Sequence, residues 1–205
     1  PSTHAGEDMH FIQSGIARTC ICLAALLLSA CATSRSYTTL DLPASNATTQ
    51  SDKVAFIASV VDSREFQENP RDPSIPSLKK GAAYALDAEG RNAAIARKRN
   101  GYGKALGDIL LQPPQTVTGI VRQLVAEGLQ RKGYRVIDDA DSAPSDALRI
   151  DVDIREFWAW LTPGFWTVSM ESRINTRLTF NDDSSSALEV AAYGKKNAPT
   201  GREGN

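Results

Sequence analysis

Histidine and cysteine are nearly missing from this chain, with 2 and 3 residues respectively in 205. Four of the five, His4, His10, Cys20 and Cys22, fall within the first 22 positions, and neither residue type recurs after Cys31. Beyond that point no disulfide can form, and no soft metal site of His and Cys can be built. Histidine acid–base chemistry and the Ser-His-Asp and Cys-His arrangements are excluded there as well. Carboxylate pairs, Ser/Lys arrangements and oxygen-ligated cations remain open. An excess of charge of one sign is also lacking: 23 basic residues face 24 acidic ones, so the global balance gives no argument for nucleic acid or an anionic surface. Long apolar runs are scarce. The stretch Thr19 to Leu28 holds 10 residues, about half of what a helix needs to cross a bilayer core.

That short run reads as the h-region of a signal peptide. Met9 is the expected start, Arg18 supplies the charge of the n-region, and small residues stand at the cut. Leu28-Ser29-Ala30-Cys31 resembles the lipobox of bacterial lipoproteins. The resemblance implies a diacylglycerol on the Cys31 thiol, cleavage between Ala30 and Cys31, and acylation of the new amino group. Several acyl chains on one residue anchor stably where one would be marginal. Ala32 after the cysteine resembles the signal for sorting to the outer membrane, with the domain facing the periplasm. Loss of Glu7, Asp8 and Arg18 from the 23 basic and 24 acidic residues leaves 22 of each.

The expected organisation is a signal peptide over 1–30, lipidated Cys31 with a flexible Ser/Thr-rich tether over 31–51, and one domain over 52–205. Lys53 to Val61 is a nearly continuous apolar run of strand length and predicts a buried strand. The prolines Pro70, Pro73 and Pro76 then forbid regular structure. Leu78 to Gln112, apart from a short strand at Gly107 to Leu111, reads as an irregular excursion over the surface. Val117, Ile120, Val121, Leu124, Val125 and Leu129 carry the stripe of an amphipathic helix that stops at Gly133. A short strand at Tyr134 to Ile137 comes next. Strong alternation then predicts two long antiparallel strands joined at Thr162-Pro163-Gly164-Phe165, and a last strand at Ala187 to Tyr193. The expected fold is α+β: a single mainly antiparallel sheet with one long amphipathic helix on its apolar face.

Two constellations stand out as candidate sites. Phe157, Trp158, Trp160, Phe165 and Trp166 bracket the Pro-Gly turn. They read either as an exposed hairpin tip that docks on a partner or enters the membrane interface, or as rings closing one end of the core. The basic stretch Arg97, Lys98, Arg99 and Lys104 reads as an anion contact or as a solvated loop. Asn100-Gly101-Tyr102-Gly103-Lys104 lacks the full spacing of a phosphate loop and the hydroxyl residue after its lysine. The alternating charges from Arg149 to Arg177 fit a solvated sheet face better than a carboxylate site.

The lipobox, the strand Val54 to Val61 running into Asp62-Ser63-Arg64, Asn100-Gly101-Tyr102-Gly103, and Leu129-Gln130-Arg131-Lys132-Gly133-Tyr134 together resemble the YajG-like family of envelope lipoproteins. The resemblance covers most of 53–195 and implies an outer-membrane lipoprotein of α+β fold with no assigned activity. It also implies a further helix after the last strand. The chain instead ends in Gly201-Arg202-Glu203-Gly204-Asn205, so either the domain is cut short at its C-terminus or this member lacks that helix.

The expected function is that of a non-enzymatic envelope lipoprotein, held in the membrane by Cys31 and binding another envelope protein through the aromatic hairpin. The alternatives are binding of cell-wall polymer or anionic lipid through the basic 79–104 segment, and a carboxylate-dependent hydrolase. No catalytic residue, metal, cofactor or nucleic-acid partner is expected.

Overall fold

The computed structural model describes residues 35–42, 52–68, 70–78, 88–100, 102–138, 141–163, 167–181 and 183–199. All of these belong to one compact unit, Arg35–Asn205.

Eight strands and two helices are described. They are β1 (Ser36–Thr38), β2 (Val54–Asp62), α1 (Ala88–Ala93), β3 (Ala94–Arg99), β4 (Ala105–Leu111), α2 (Val117–Arg131), β5 (Arg135–Ile137), β6 (Leu148–Pro163), β7 (Thr167–Phe180) and β8 (Asp183–Pro199). About 55% of the described chain is strand and 15% helix. The expected α+β fold, with a mainly antiparallel sheet and a long helix as its second layer, is therefore corrected: the domain is mostly β, on a mixed eight-stranded sheet. The parallel pairs are β1 with β4, and β2 with both β5 and β6, with a single parallel contact between β3 and β6. The antiparallel pairs are β3 with β4, β6 with β7, and β7 with β8. The 15 residues of α2 do not make a layer. Its first half buries Val117, Ile120 and Val121 in the core, while Leu124, Val125 and Leu129 are only partly covered.

The sheet branches at β6, whose 16 residues exceed the length of any one neighbour on that edge. Its first half pairs with β2 and its second half meets β3 at Ala159. Where β2 ends, Arg64 fills the junction. Its Nη1 donates to the carbonyls of Ala94 at 2.7 Å and Phe157 at 2.9 Å. Its Nε and Nη2 grip the two carboxylate oxygens of Asp62 at 2.7 Å each, and Nη2 also reaches the Arg91 carbonyl at 3.0 Å. A planar guanidinium suits this place because it offers five donors to the three carbonyls and the carboxylate that converge here.

Apolar residues collect on both faces. Ile57, Ile150, Val152, Ile154, Phe157 and Leu178 form the main core with α2. A bulge between Ile154 and Glu156 lets both Ile154 and Phe157 face it despite their odd spacing. On the opposite face, Leu78, Ala94 and Leu110 form a smaller core with Phe66 packed against it.

Three further expectations give way. Ser36–Thr38 lie in the predicted tether yet form β1, because Leu40 and Leu42 pack on the core. The Gln115 side chain both donates to and accepts from the Leu40 backbone, which fixes this segment. The predicted surface excursion contributes β3 and β4, whose residues Ala94 to Arg97 are buried. The last strand starts before Ala187 and runs beyond Tyr193.

Candidate anion-binding site

At the end of β3 the chain turns through residues 100–104 into β4. The Asn100 side chain accepts from the backbone of Tyr102 at 3.0 Å and of Lys104 at 2.9 Å, and Gly103 takes the positive φ of 78° that the turn requires. This segment thus joins β3, which ends in Arg97-Lys98-Arg99, to β4 as a β-hairpin turn that carries Lys104. Pro70 and Arg71, from the proline-rich segment, come to lie beside it. Together Arg71, Arg97, Arg99 and Lys104 line one open recess of about 450 Å³, with Tyr102 at its rim.

The cations differ in how they are held. Arg97 is 7% exposed. Its Nε lies 3.9 Å from the Asp108 carboxylate, an ion pair beyond hydrogen-bond distance, and its Nη1 donates to the Glu68 carbonyl at 3.2 Å. Arg99 donates to the carbonyls of Gly103 at 2.9 Å and Pro70 at 3.4 Å. Among the described residues, no carboxylate forms an ion pair with Arg71, Arg99 or Lys104. Burial pushes both the Arg97 and Arg99 guanidinium groups down from their ordinary range; Asp108 counteracts this at Arg97 and Asp72 at Arg99. Both effects have one physical meaning: positive charge is held in a partly dehydrated place without enough negative charge to match it. A phosphate or carboxylate in the recess would supply that match.

Of the basic residues singled out in the sequence, Arg97, Arg99 and Lys104 converge here. Lys98 does not line the recess, and Lys79 and Lys80 lie outside the described residues. Arg71 escapes a reading of the sequence, because only the fold of the proline-rich segment brings it to the turn.

Three of the five aromatic residues singled out in the sequence are described, and each of these is buried. Phe157 lies in the main core. Trp158 and Trp160 are buried on the opposite face, Trp158 against the segment after β2. Trp158 meets Phe66 edge-on at 6.0 Å and donates from its indole to the Pro73 carbonyl at 3.2 Å. Trp160 lies under the Arg173 guanidinium at 5.3 Å and beside Tyr193 at 6.4 Å. Phe165, Trp166 and Cys31 are outside the described residues.

Two other recesses are lined by groups that satisfy one another. In the one of about 610 Å³ at the start of α2, Asn92 accepts from the Thr118 backbone and donates to its hydroxyl, while Thr116 caps Gly119. The one of about 350 Å³ is built around the Arg64–Asp62 pair. Neither brings two described carboxylates together; Glu89 lines one and Asp62 the other. Among the described residues no group of three His, Cys, Asp or Glu could hold a metal ion.

No protein-family model and no curated protein matches the sequence. Solved structures to which the chain is similar include a Xanthomonas campestris protein of family DUF330, at 12% identity and TM-score 0.36, over 84% of this chain and 81% of that one. An uncharacterized protein matches at 10% identity and TM-score 0.33, over 83% and 84%. A Helicobacter pylori protein described as a homolog of the neuraminyllactose-binding hemagglutinin matches at 12% and 0.30, over 78% and 73%. At these scores the likenesses carry no functional argument.

Proposed function

We propose that this chain is a non-enzymatic envelope lipoprotein, anchored through Cys31, whose folded domain holds the anionic headgroups of the membrane to which it is tethered. The observation that carries this reading is the convergence of Arg71, Arg97, Arg99 and Lys104 on one open recess. Support for lipid over a distant polymer comes from the chain path. Arg35 is four residues after Cys31, and it ion-pairs at 3.7 Å with Asp108, the carboxylate beside Arg97. Four residues of extended chain span at most about 14 Å, so acyl chains on Cys31 would hold the first described residue, Arg35, near the membrane surface. Each Lys or Arg near an anionic surface contributes on the order of 1 kcal/mol. The domain is assigned to the YajG-like group on its sequence motifs alone: the lipobox, Asp62-Ser63-Arg64, the glycine turn and the end of α2.

Two experiments test this. Acyl labelling and membrane fractionation should both be lost in Cys31→Ser; unchanged labelling would remove the anchor. The soluble Cys31→Ser form should sediment with vesicles containing phosphatidylglycerol and not with pure phosphatidylcholine. Arg99→Glu with Lys104→Glu should weaken this at least about tenfold, from two reversed charges at roughly 1 kcal/mol per contact. Sedimentation with isolated cell-wall polymer but not with the vesicles would replace lipid by polymer, and equal sedimentation by the variant would discard the recess.

A further inference from the structure

The antiparallel arm of the sheet ends in β8, a strand of 17 residues that pairs only with β7 among the described residues. A long unprotected edge of this kind is a template for another strand. It holds no proline before Pro199, its pairing with β7 is unbroken from Leu188 to Pro199, and the safeguards it does carry are the charges Glu189, Lys195 and Lys196. The register with β7 fixes its two faces. Leu188, Val190 and Ala192 stand opposite Leu178, Thr176 and Ile174 on the face of the main core, while Glu189, Tyr193 and Lys195 stand on the other. The core face runs out from under α2 here, leaving Leu188 51% and Val190 44% exposed.

We propose that β8 pairs antiparallel with β8 of a second copy, about a two-fold axis at Ala192, joining two sheets into one. The strand is self-complementary in that register. Glu189 of each copy falls opposite Lys195 of the other, Val190 opposite Gly194, and Ala192 opposite itself. Shifting by one residue would put core-face side chains against polar-face ones. Centring on Ala191 or Tyr193 instead places Glu189 opposite Tyr193 or Asn197 and loses both charge pairs. The two-fold axis is perpendicular to the sheet, so the core faces of both copies lie on the same side of the joined sheet, with Leu188 of each copy opposite Lys196 of the other.

The test uses the full chain carrying Cys31→Ser, followed by sedimentation velocity and circular dichroism. Wild type should dimerise. Glu189→Lys alone and Lys195→Glu alone should each keep the wild-type spectrum and weaken self-association at least about tenfold, since two attractive cross-strand pairs become repulsive. Mixing the two single variants should restore a dimer, because two Lys–Glu pairs then form between the unlike copies. Ala192→Cys should form a disulfide between copies under mild oxidation, while Ala198→Cys should not. A monomeric wild type, as would result if another part of the chain or another protein covers the edge, would overturn the proposal. So would single variants that remain dimeric, or mixed variants that remain monomeric.

Discussion

Replacing Arg64 by methionine keeps a long apolar side chain at the sheet branch and removes every donor from it. The side chain is fully buried and the partner Asp62 is 14% exposed. Three carbonyls, of Ala94, Phe157 and Arg91, lose their donor, and a carboxylate loses its bidentate partner. An acceptor left unpaired in the interior costs about 1–3 kcal/mol, and removing one member of a buried ion pair costs about 3–5 kcal/mol. The two figures describe overlapping losses, and water can reach Asp62, so a total of about 3–5 kcal/mol is expected. With a urea slope of about 2 kcal/mol per molar, the midpoint should fall by roughly 2 M. Such a loss is a large part of the stability of a domain this size. Arg64→Lys provides the measurable intermediate, because it keeps the charge and can satisfy one or two of the acceptors. Asp62→Asn should cost less than Arg64→Met, since the guanidinium keeps its three carbonyls. Urea unfolding of the Cys31→Ser form followed by far-ultraviolet circular dichroism reads all three. If Arg64→Met unfolds within about 1 kcal/mol of wild type, or Arg64→Lys matches wild type, the junction does not depend on this residue.

Trp158→Ala should destabilise by about 3–5 kcal/mol, the range for emptying a buried aromatic site, whereas Trp158→Phe should cost less and release only the bond to Pro73; equal effects of the two would contradict the packing described. Gly133 ends α2 at a φ of 89°, and its amide donates to the Gln130 carbonyl at 2.9 Å while Tyr134 donates to Leu129 at 3.0 Å. Gly133→Ala meets no nearby atom, so its cost should be the backbone term alone, about 1–2 kcal/mol, read by thermal unfolding. The Tyr193 hydroxyl donates to Glu171 at 2.6 Å, which lowers the Glu171 carboxyl below its ordinary 4.5 and raises Tyr193 above its ordinary 10.0. The Glu171 contribution to stability is therefore present above about pH 4.5 and lost as pH falls through the lowered folded value; that of Tyr193 is present below pH 10 and lost as pH rises through the raised one. Tyr193→Phe should return the Glu171 carboxyl toward 4.5 in a nuclear magnetic resonance titration, and an unmoved titration would show that the bond does not form in solution.

Strand period and helix signals were the most legible features. Val54 to Val61 and the alternation from Leu148 to Phe180 stand out because one face of each is apolar almost without interruption. The start and stop of α2 follow from Thr116 and Gly133, whose chemistry is local. β1 and β3 were hidden for a different reason. Ser36-Tyr37-Thr38 has no apolar period, and Ala94-Ile95-Ala96-Arg97-Lys98-Arg99 ends in charges that signal exposure, although Arg97 is buried against Asp108. Long-range pairing decides both. The motif Asp62-Ser63-Arg64 was visible in the sequence, but its role at the branch depends on carbonyls 27 to 93 positions away. The basic residues of the recess could be read from the sequence as a cluster, while the inclusion of Arg71 and the exclusion of Lys98 required the fold.

The most direct test of the anion-binding account is a titration of the Cys31→Ser form with inorganic phosphate, followed through the backbone amides of Arg99, Gly103 and Lys104. Saturable shifts should be confined to these residues and their neighbours in the recess, and should be lost in Arg99→Gln with Lys104→Gln. Shifts absent from wild type, or equal in the variant, would contradict it.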